Sequence, residues 1–516
     1  MRLRARAMIA IGLASAGALG TFGGSAAATT SPTTPNPCGA AASPGGEWPS
    51  YGHDAANTRT QDLEHTLGTA QASALAPAWV FRLSAQGDAG NFESTPVVSG
   101  GCSFVASSAG TVYAVSTATG AVVWKAAFAT TAVGLGGAIV GGLAIDHGRA
   151  LVAINQAGDG KVGPYLVALD TATGNVAWKS APLSTLTGYY TNATPQVFGT
   201  IAFIGYSPPE GQSDGQGGFV LLDSRTGTLL RNTPTVPPAD QAKGFAGGGI
   251  WSTPAFDSRS GFAYIGAGNP FSKTQEDPHT NAILKVDLRR ASATFGQVVA
   301  AYKGNVDQYT QALQAGSQTP VCTLSQAAPD PLDDPACGQL DLDFGAAPNL
   351  FTVAGRLRVG DLQKSGVYHV ADATTMAPAW STVVGGTCQA CNAASTAFSG
   401  GAVLGVSTPG GAAYSLDGAS GAQRWLTPLG DGVHYQATSV ANGVAYTFDT
   451  TGFFDVLDAA TGIPLTRRPM AADAGAPAAA LTSGGIAVAE HTIFVAASEE
   501  GNGAGTTENG FLIAYR

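Results

Sequence analysis

Charge is scarce in this sequence. Asp, Glu, Lys and Arg make up 12% of 516 residues, the formal net charge is −10, and no basic cluster follows the first few positions. A nucleic-acid binder needs a basic face, so that class is excluded. Apolar runs are short: beyond about Met8 to Phe22, none is long enough to cross a bilayer as a helix. The seven histidines are scattered, with no close pair suited to zinc. There is no Walker-type phosphate loop, no G-x-S-x-G elbow and no convincing G-x-G-x-x-G after a strand. The C-x-x-C pair Cys388 and Cys391 is followed by Asn392 rather than His, so no covalent haem is expected. No two cysteines are adjacent.

What the chain has in abundance is turn formers, 70 Gly and 29 Pro spread along its length. They point to many short strands joined by tight turns. Residues 1–28 read as an export signal: Arg2, Arg4 and Arg6 precede the apolar run, and Ala26-Ala27-Ala28 offers small residues for cleavage. Residues 29–46 are Thr-, Pro-, Ala- and Gly-rich and read as a flexible leader. An exported protein with six cysteines is expected to form disulfides. Cys388 and Cys391 read as a staple, and Cys322 and Cys337 bracket an Asp/Pro-rich insertion at about 305–340. That leaves Cys38 with Cys102 by elimination, although sequence alone fixes no pairing.

A repeat runs through residues 47–516. Tyr113-Ala-Val-Ser-Thr-Ala-Thr-Gly120 leads to Trp124, Leu166-Val-Ala-Leu-Asp-Thr-Ala-Thr-Gly174 to Trp178, and Asp417-Gly-Ala-Ser-Gly421 to Trp425. Weaker copies are Asp223 to Gly227 with Arg231, Asp372 with Trp380, Asp458 to Gly462 with Thr466, and a degenerate one from Ala282 to Tyr302. Each reads as a hairpin whose Asp and hydroxyl side chains bond turn amides and whose Gly supplies the left-handed residue. The following Trp is large enough to wedge between neighbouring sheets. Another apolar strand pair precedes each copy, giving four strands per unit. The expected fold is all-β: an eight-bladed β-propeller of four-stranded antiparallel blades. Its eighth blade closes the ring by pairing the fourth strand Pro77–Leu83 with the last third strand, Gly510–Arg516, which also hides sheet edges. A parallel β-solenoid is the competing repeat fold, disfavoured by the Trp-bearing hairpins.

In such a blade the b–c loops and the d–a connections emerge on one face and the Asp/Thr/Gly turns on the other. Glu93, Trp251, Asp341 and Asp343 sit where the chain enters a first strand, and Glu210, Asn269 and Lys364 sit in b–c loops. All are expected on one face. The stretch Gly247–Pro270 reads as the first hairpin of the fourth blade, with Trp251 to Phe256 as its outgoing strand. Antiparallel pairing then brings Trp251 beside Asn269.

These residues carry a resemblance. Trp48-Pro-Ser-Tyr-Gly-His-Asp-Ala-Ala-Asn-Thr-Arg59, the Trp repeats, Gly-Ile-Trp251, Gly-Ala-Gly-Asn269-Pro and Asp343-Phe-Gly-Ala-Ala-Pro resemble the pyrroloquinoline quinone (PQQ) propeller family of alcohol dehydrogenases. The likeness runs from Trp48 to Arg516 and is strongest to the polyvinyl-alcohol-dehydrogenase branch. It implies Trp251 as the quinone's stacking floor, Glu210 and Asn269 as ligands of Ca²⁺, and Asp343 as the base. Lys364 would meet the quinone's carbonyl edge and Glu93 would hydrogen-bond the cofactor. It further implies an alcohol substrate, an external cytochrome or quinone acceptor, and a secreted, extracellular or periplasmic location. Gly141 stands where the family carries an anchoring Arg, Leu342 where a Trp precedes the base, and Gly345 where lanthanide-using relatives carry a second Asp. The alternative is a non-catalytic propeller serving as a binding or scaffold module.

Overall fold

The outer turn of each blade sets the repeat. In 170–174, Asp170 Oδ1 accepts from the backbone N–H of Ala172 (3.1 Å) and Thr173 (2.9 Å) and from the Thr173 hydroxyl (2.8 Å). Gly174 then closes the turn at φ +73°. The same arrangement recurs at Asp417 and Asp458. In the computed structural model, residues 37–130, 135–156, 161–209, 212–271, 277–305, 342–386, 392–408, 411–430, 434–475, 484–499 and 509–516 are described. They form eight antiparallel sheets of four strands, one of them extended by a fifth, parallel strand. Seven blades follow in chain order, at 97–127, 143–179, 196–234, 255–303, 349–383, 397–428 and 439–469. Strand Pro77–Arg82 pairs antiparallel with Asn509–Tyr515 to complete the eighth, so the chain's two ends close the ring as expected.

The repeat tryptophans bind neighbouring blades together. Trp124 of the first blade lies over the turn glycine of the second, where a Cβ on Gly174 would stand 2.5 Å from the indole. Its Nε1–H donates to Thr171 O (2.9 Å). Trp79, Trp178, Trp380 and Trp425 donate in the same way to Thr117, Ser224, Gly418 and Ala459 of the following blade. The degenerate fourth blade inverts the pattern: Ala300 stands in the tryptophan's register and the facing turn residue is Met376, at φ +60°. A small side chain opposite a large one fills the space that a large one opposite glycine fills elsewhere.

An axial segment, 46–61, threads the channel and touches every blade in turn. The carbonyls of Gly46, Trp48, Pro49, Ala55, Ala56, Thr58 and Arg59 accept from Glu490, Val98, Ile145, Phe256, Leu350, Phe398 and Val440 backbone N–H groups. Asp54 O accepts from the Gln196 side chain of the third blade (3.0 Å). The acceptors follow chain order as the donors go round the ring. Positive φ at His53, Asn57 and Arg59 bends the segment into this circle. Arg59 is fully buried, donating to Thr438 O (2.8 Å), Ser439 Oγ (2.9 Å) and Tyr51 O, and burial lowers it to about 10. A disulfide joins Cys38 to Cys102, tying the chain ahead of this segment to the first blade. Cys322, Cys337, Cys388 and Cys391, with nearly all of the 305–340 insertion, lie outside the described residues, as do 1–36.

Candidate functional site

Chain reversal in the fourth blade does what antiparallel pairing demands. Gly268 N–H donates to Gly249 O (2.8 Å) and Gly248 N–H to Asn269 O (2.9 Å), setting Trp251 and Asn269 side by side. The first strand is shorter than the sequence suggests, Ala255–Asp257 instead of starting at Trp251. Pro254 has no N–H to give a ladder, and the residues before it face the cavity. Close approach here requires glycine: a Cβ on Gly247 would stand 2.4 Å from Asn269 O.

Asp343 arrives from the segment leading into the fifth blade and is the hub of the site. Its Oδ2 accepts from Trp251 Nε1–H (3.1 Å) and from Lys364 Nζ (3.0 Å), and its Oδ1 from the Asn269 backbone N–H. Lys364 Nζ also lies 5.1 Å from the Trp251 ring centroid, a cation–π distance. Asp343, Lys364 and Asn269 are all buried, while Trp251 keeps part of its surface open. Gly345 packs against the indole edge, where an added Cβ would stand 1.9 Å from the ring. Trp251, Asn269, Asp343 and Lys364, with Tyr190, Pro208 and Phe271, wall a cleft of about 210 Å³. Two buried polar atoms in its wall, Asn269 Nδ2 and Ser207 Oγ, have no partner among the described residues.

Trp251 and Asn192 are shared with a second cleft of about 190 Å³, lined by Glu93, Tyr51, Ser94 and Thr194 among others. Of the residues singled out from sequence, Trp251, Asn269, Asp343 and Lys364 therefore converge, and Glu93 faces the adjoining cleft. Glu210 and Asp341 lie outside the described residues. Among the described residues no three His, Cys, Asp or Glu side chains form a metal-binding group. Gly141 abuts the third blade so closely that a Cβ there would stand 2.2 Å from Ala193 O. No side chain fits at that position.

Sequence reasoning missed the support behind Lys364. Its neighbours Gln363 and Ser365 are tied to Asn305: Gln363 Nε2 donates to Asn305 O (3.0 Å), and Ser365 Oγ to Asn305 Oδ1 (3.2 Å). Buried His369 meets Gln363 Oε1 and Asn305 Oδ1 at Nε2 (3.1 Å each) and the Tyr302 hydroxyl at Nδ1 (3.0 Å). Burial pushes His369 down to about 3, so it stays neutral and serves as one donor and one acceptor. The flanking positions 363 and 365 were the available signal, but the partner at 305 is distant in sequence.

The chain is similar to known proteins in both sequence and fold. Residues 68–308 match the profile of a family described as outer membrane protein assembly factor BamB. Over 372 residues the chain is 26% identical to a polyvinylalcohol dehydrogenase from Sphingopyxis sp. (strain 113P3), covering 66% of this chain and 50% of that protein. It is 27% identical over 261 residues to the quinohemoprotein alcohol dehydrogenase ADH IIB of Pseudomonas putida, covering 45% and 36%. The chain thus matches half or less of the length of these curated relatives. In fold it resembles a quinohemoprotein alcohol dehydrogenase from Comamonas testosteroni, with TM-score 0.66, 17% identity and coverage of 91% of this chain and 80% of that one. A europium-containing methanol dehydrogenase gives TM-score 0.67 at 17% identity, covering 92% and 98%.

Proposed function

We propose that this protein is an exported quinoprotein dehydrogenase that oxidises an alcohol, secondary or polymeric, with PQQ and Ca²⁺. The observation that carries the reading is the coordination of Asp343. Among the described residues its Oδ2 takes two donors, the indole N–H and the lysine ammonium, whereas Oδ1 takes one, the Asn269 N–H. The lone pair left on Oδ1 is therefore the one that receives a substrate hydroxyl proton. The residues fit the implied cofactor: a partly open indole face for a planar ring, the Asn269 amide oxygen for a hard cation, and the unpartnered Asn269 Nδ2–H and Ser207 hydroxyl as donors in the cleft wall. Asn269 would hold the calcium ion together with Glu210, and Glu93 would reach the cofactor from the adjoining cleft.

When bound, PQQ and its metal supply a Lewis-acid-polarised carbonyl that accepts a hydride. The protein's part is positional and electrostatic. Trp251 orients the plane and is itself fixed by Asp343 and by Gly345 at its edge. Lys364 neutralises Asp343 in a buried site, and the Gln363–Asn305–His369 contacts hold the loop that carries it. Tyr190, Pro208 and Phe271 wall the cleft against water. The packing of Gly345 leaves no room for a second aspartate beside the first, which supports calcium over a lanthanide ion. An external acceptor, a cytochrome or a quinone, would take the electrons.

A second reading, a binding or scaffold module, is favoured by one observation: Gly141 cannot carry the guanidinium that anchors a cofactor carboxylate in the family. Adding PQQ and Ca²⁺ to the purified protein separates the two. Stoichiometric uptake with dye-linked oxidation of alcohols supports the dehydrogenase, and an Asp343→Asn variant should keep uptake and lose turnover. No uptake at micromolar cofactor refutes it in favour of the module.

A further inference from the structure

On the opposite end of the channel the inner a–b turns of the fourth to sixth blades surround a second cavity, of about 450 Å³. Its floor is the axial segment at Ala56 and Thr58. Its walls are aromatic: Phe351 and Phe398 stack at 4.4 Å and 12°, and Phe256 faces the same space. Leu350 and Leu357 complete the apolar lining. One cation stands at the rim, Arg259, in the turn after strand Ala255–Asp257.

Arg259, like Arg225 in the outer turn of the third blade, donates a backbone N–H to its turn aspartate while its side chain meets no carboxylate among the described residues. Arg289, Arg358, Arg424 and Arg467 each meet an aspartate within 3.1 Å. The exposed guanidinium of Arg259 has no hydrogen-bond or ion-pair partner among the described residues; its described hydrogen bond is the backbone N–H to Asp257 Oδ1 (3.1 Å). The carboxylate of Asp257 is committed to its own turn, Oδ1 to that N–H and Oδ2 to the Ser260 hydroxyl. A cavity with flat apolar walls and one unmatched fork of donors at its mouth suits a ligand with a flat apolar body and a single carboxylate.

We propose that this cavity is a binding site for an aromatic monocarboxylate, its ring against the half-buried Phe398 and Leu357 and its carboxylate paired with Arg259. The site is remote from Asp343 and independent of the chemistry proposed there. The turn that carries Arg259 and the turns around it are fixed by blade geometry, so the pocket is preformed and binding costs little ordering.

The test uses 2-naphthoate as probe and isothermal calorimetry on the full-length protein. Saturable binding is expected, weakened about tenfold or more by Arg259→Met, since a charge-assisted bidentate contact is lost. Arg259 is exposed, so that variant folds. The uncharged 2-naphthamide should bind at least about tenfold more weakly than 2-naphthoate to the unaltered protein. Asp343→Asn, on the other face, should leave the affinity unchanged. The proposal is overturned by absence of saturable binding at millimolar 2-naphthoate, by affinity indifferent to Arg259→Met, by equal binding of the amide, or by loss of binding in Asp343→Asn.

Discussion

The ion pair between Lys364 and Asp343 allows a test that needs neither cofactor nor substrate. The two groups meet at 3.0 Å with side chains 10% and 7% exposed. At an effective dielectric of about 20 the gross attraction over that distance is about 5–6 kcal/mol, most of it offset by the desolvation of both ions. Removing one partner is a different matter. Lys364→Met leaves a buried carboxylate supported by two N–H donors, and Asp343→Asn leaves an ammonium without its counter-charge. Each should lower stability by about 3 kcal/mol. The double variant removes both charges, so it should cost far less than the sum, with a coupling energy of about 2–4 kcal/mol. Urea unfolding followed by far-UV circular dichroism and tryptophan fluorescence gives all four corners of the cycle. A coupling below about 0.5 kcal/mol would mean that the pair is solvated like an ordinary surface bridge. The account of Asp343 as a desolvated base held by lysine would then fail.

Gly174→Ala should cost about 2–4 kcal/mol, combining a left-handed backbone with a Cβ driven into Trp124, and the penalty should shrink when measured in a Trp124→Ala background. Buried Asp455 is raised to about 7 by desolvation, with nearby Arg467 opposing the shift and Asp449 adding to it. Its folded form therefore keeps a proton that the unfolded chain releases near 4. Stability is highest below about pH 4 from this group, falls as pH rises to 7, and is flat above; the total is of the order of 4 kcal/mol. Thermal melts from pH 4 to 8 should show that decline, and Asp455→Asn should flatten it. Replacing both Cys38 and Cys102 by Ala opens a loop of sequence separation 64 and should lower unfolding free energy by about 4 kcal/mol in denaturant titration.

Most of the ring was legible because blades are local objects. The turn Asp170 to Gly174 announces itself by residue type, and Trp124 four residues after Gly120 marks the strand that follows. Ring closure could be inferred because Pro77–Leu83 lacked a third strand and Gly510–Arg516 lacked a fourth. The convergence of Trp251, Asn269, Asp343 and Lys364 was also accessible, since strand alternation decides the face on which a loop emerges. Contacts between distant segments were not. Nothing in the sequence pairs Asn305 with Gln363, shows that Gly141 is walled in by Ala193, or aligns the carbonyls of residues 46–59 with successive blades. Met376 in a glycine's place looks like a defect until Ala300 is seen opposite it.

The axial segment has a consequence for how such a protein can change over generations. Repeat rings ordinarily gain or lose a unit by duplication or deletion, because each unit interacts only with its neighbours. Here every blade also answers to one particular carbonyl, taken in order from Gly46 to Arg59. A ninth blade would find no acceptor assigned to it, and loss of one of the eight would leave a carbonyl without its donor. The blade number is thus written a second time, in linear form, within fourteen residues. Sequence drift within blades is free to continue, but the count is locked unless both copies of it change together.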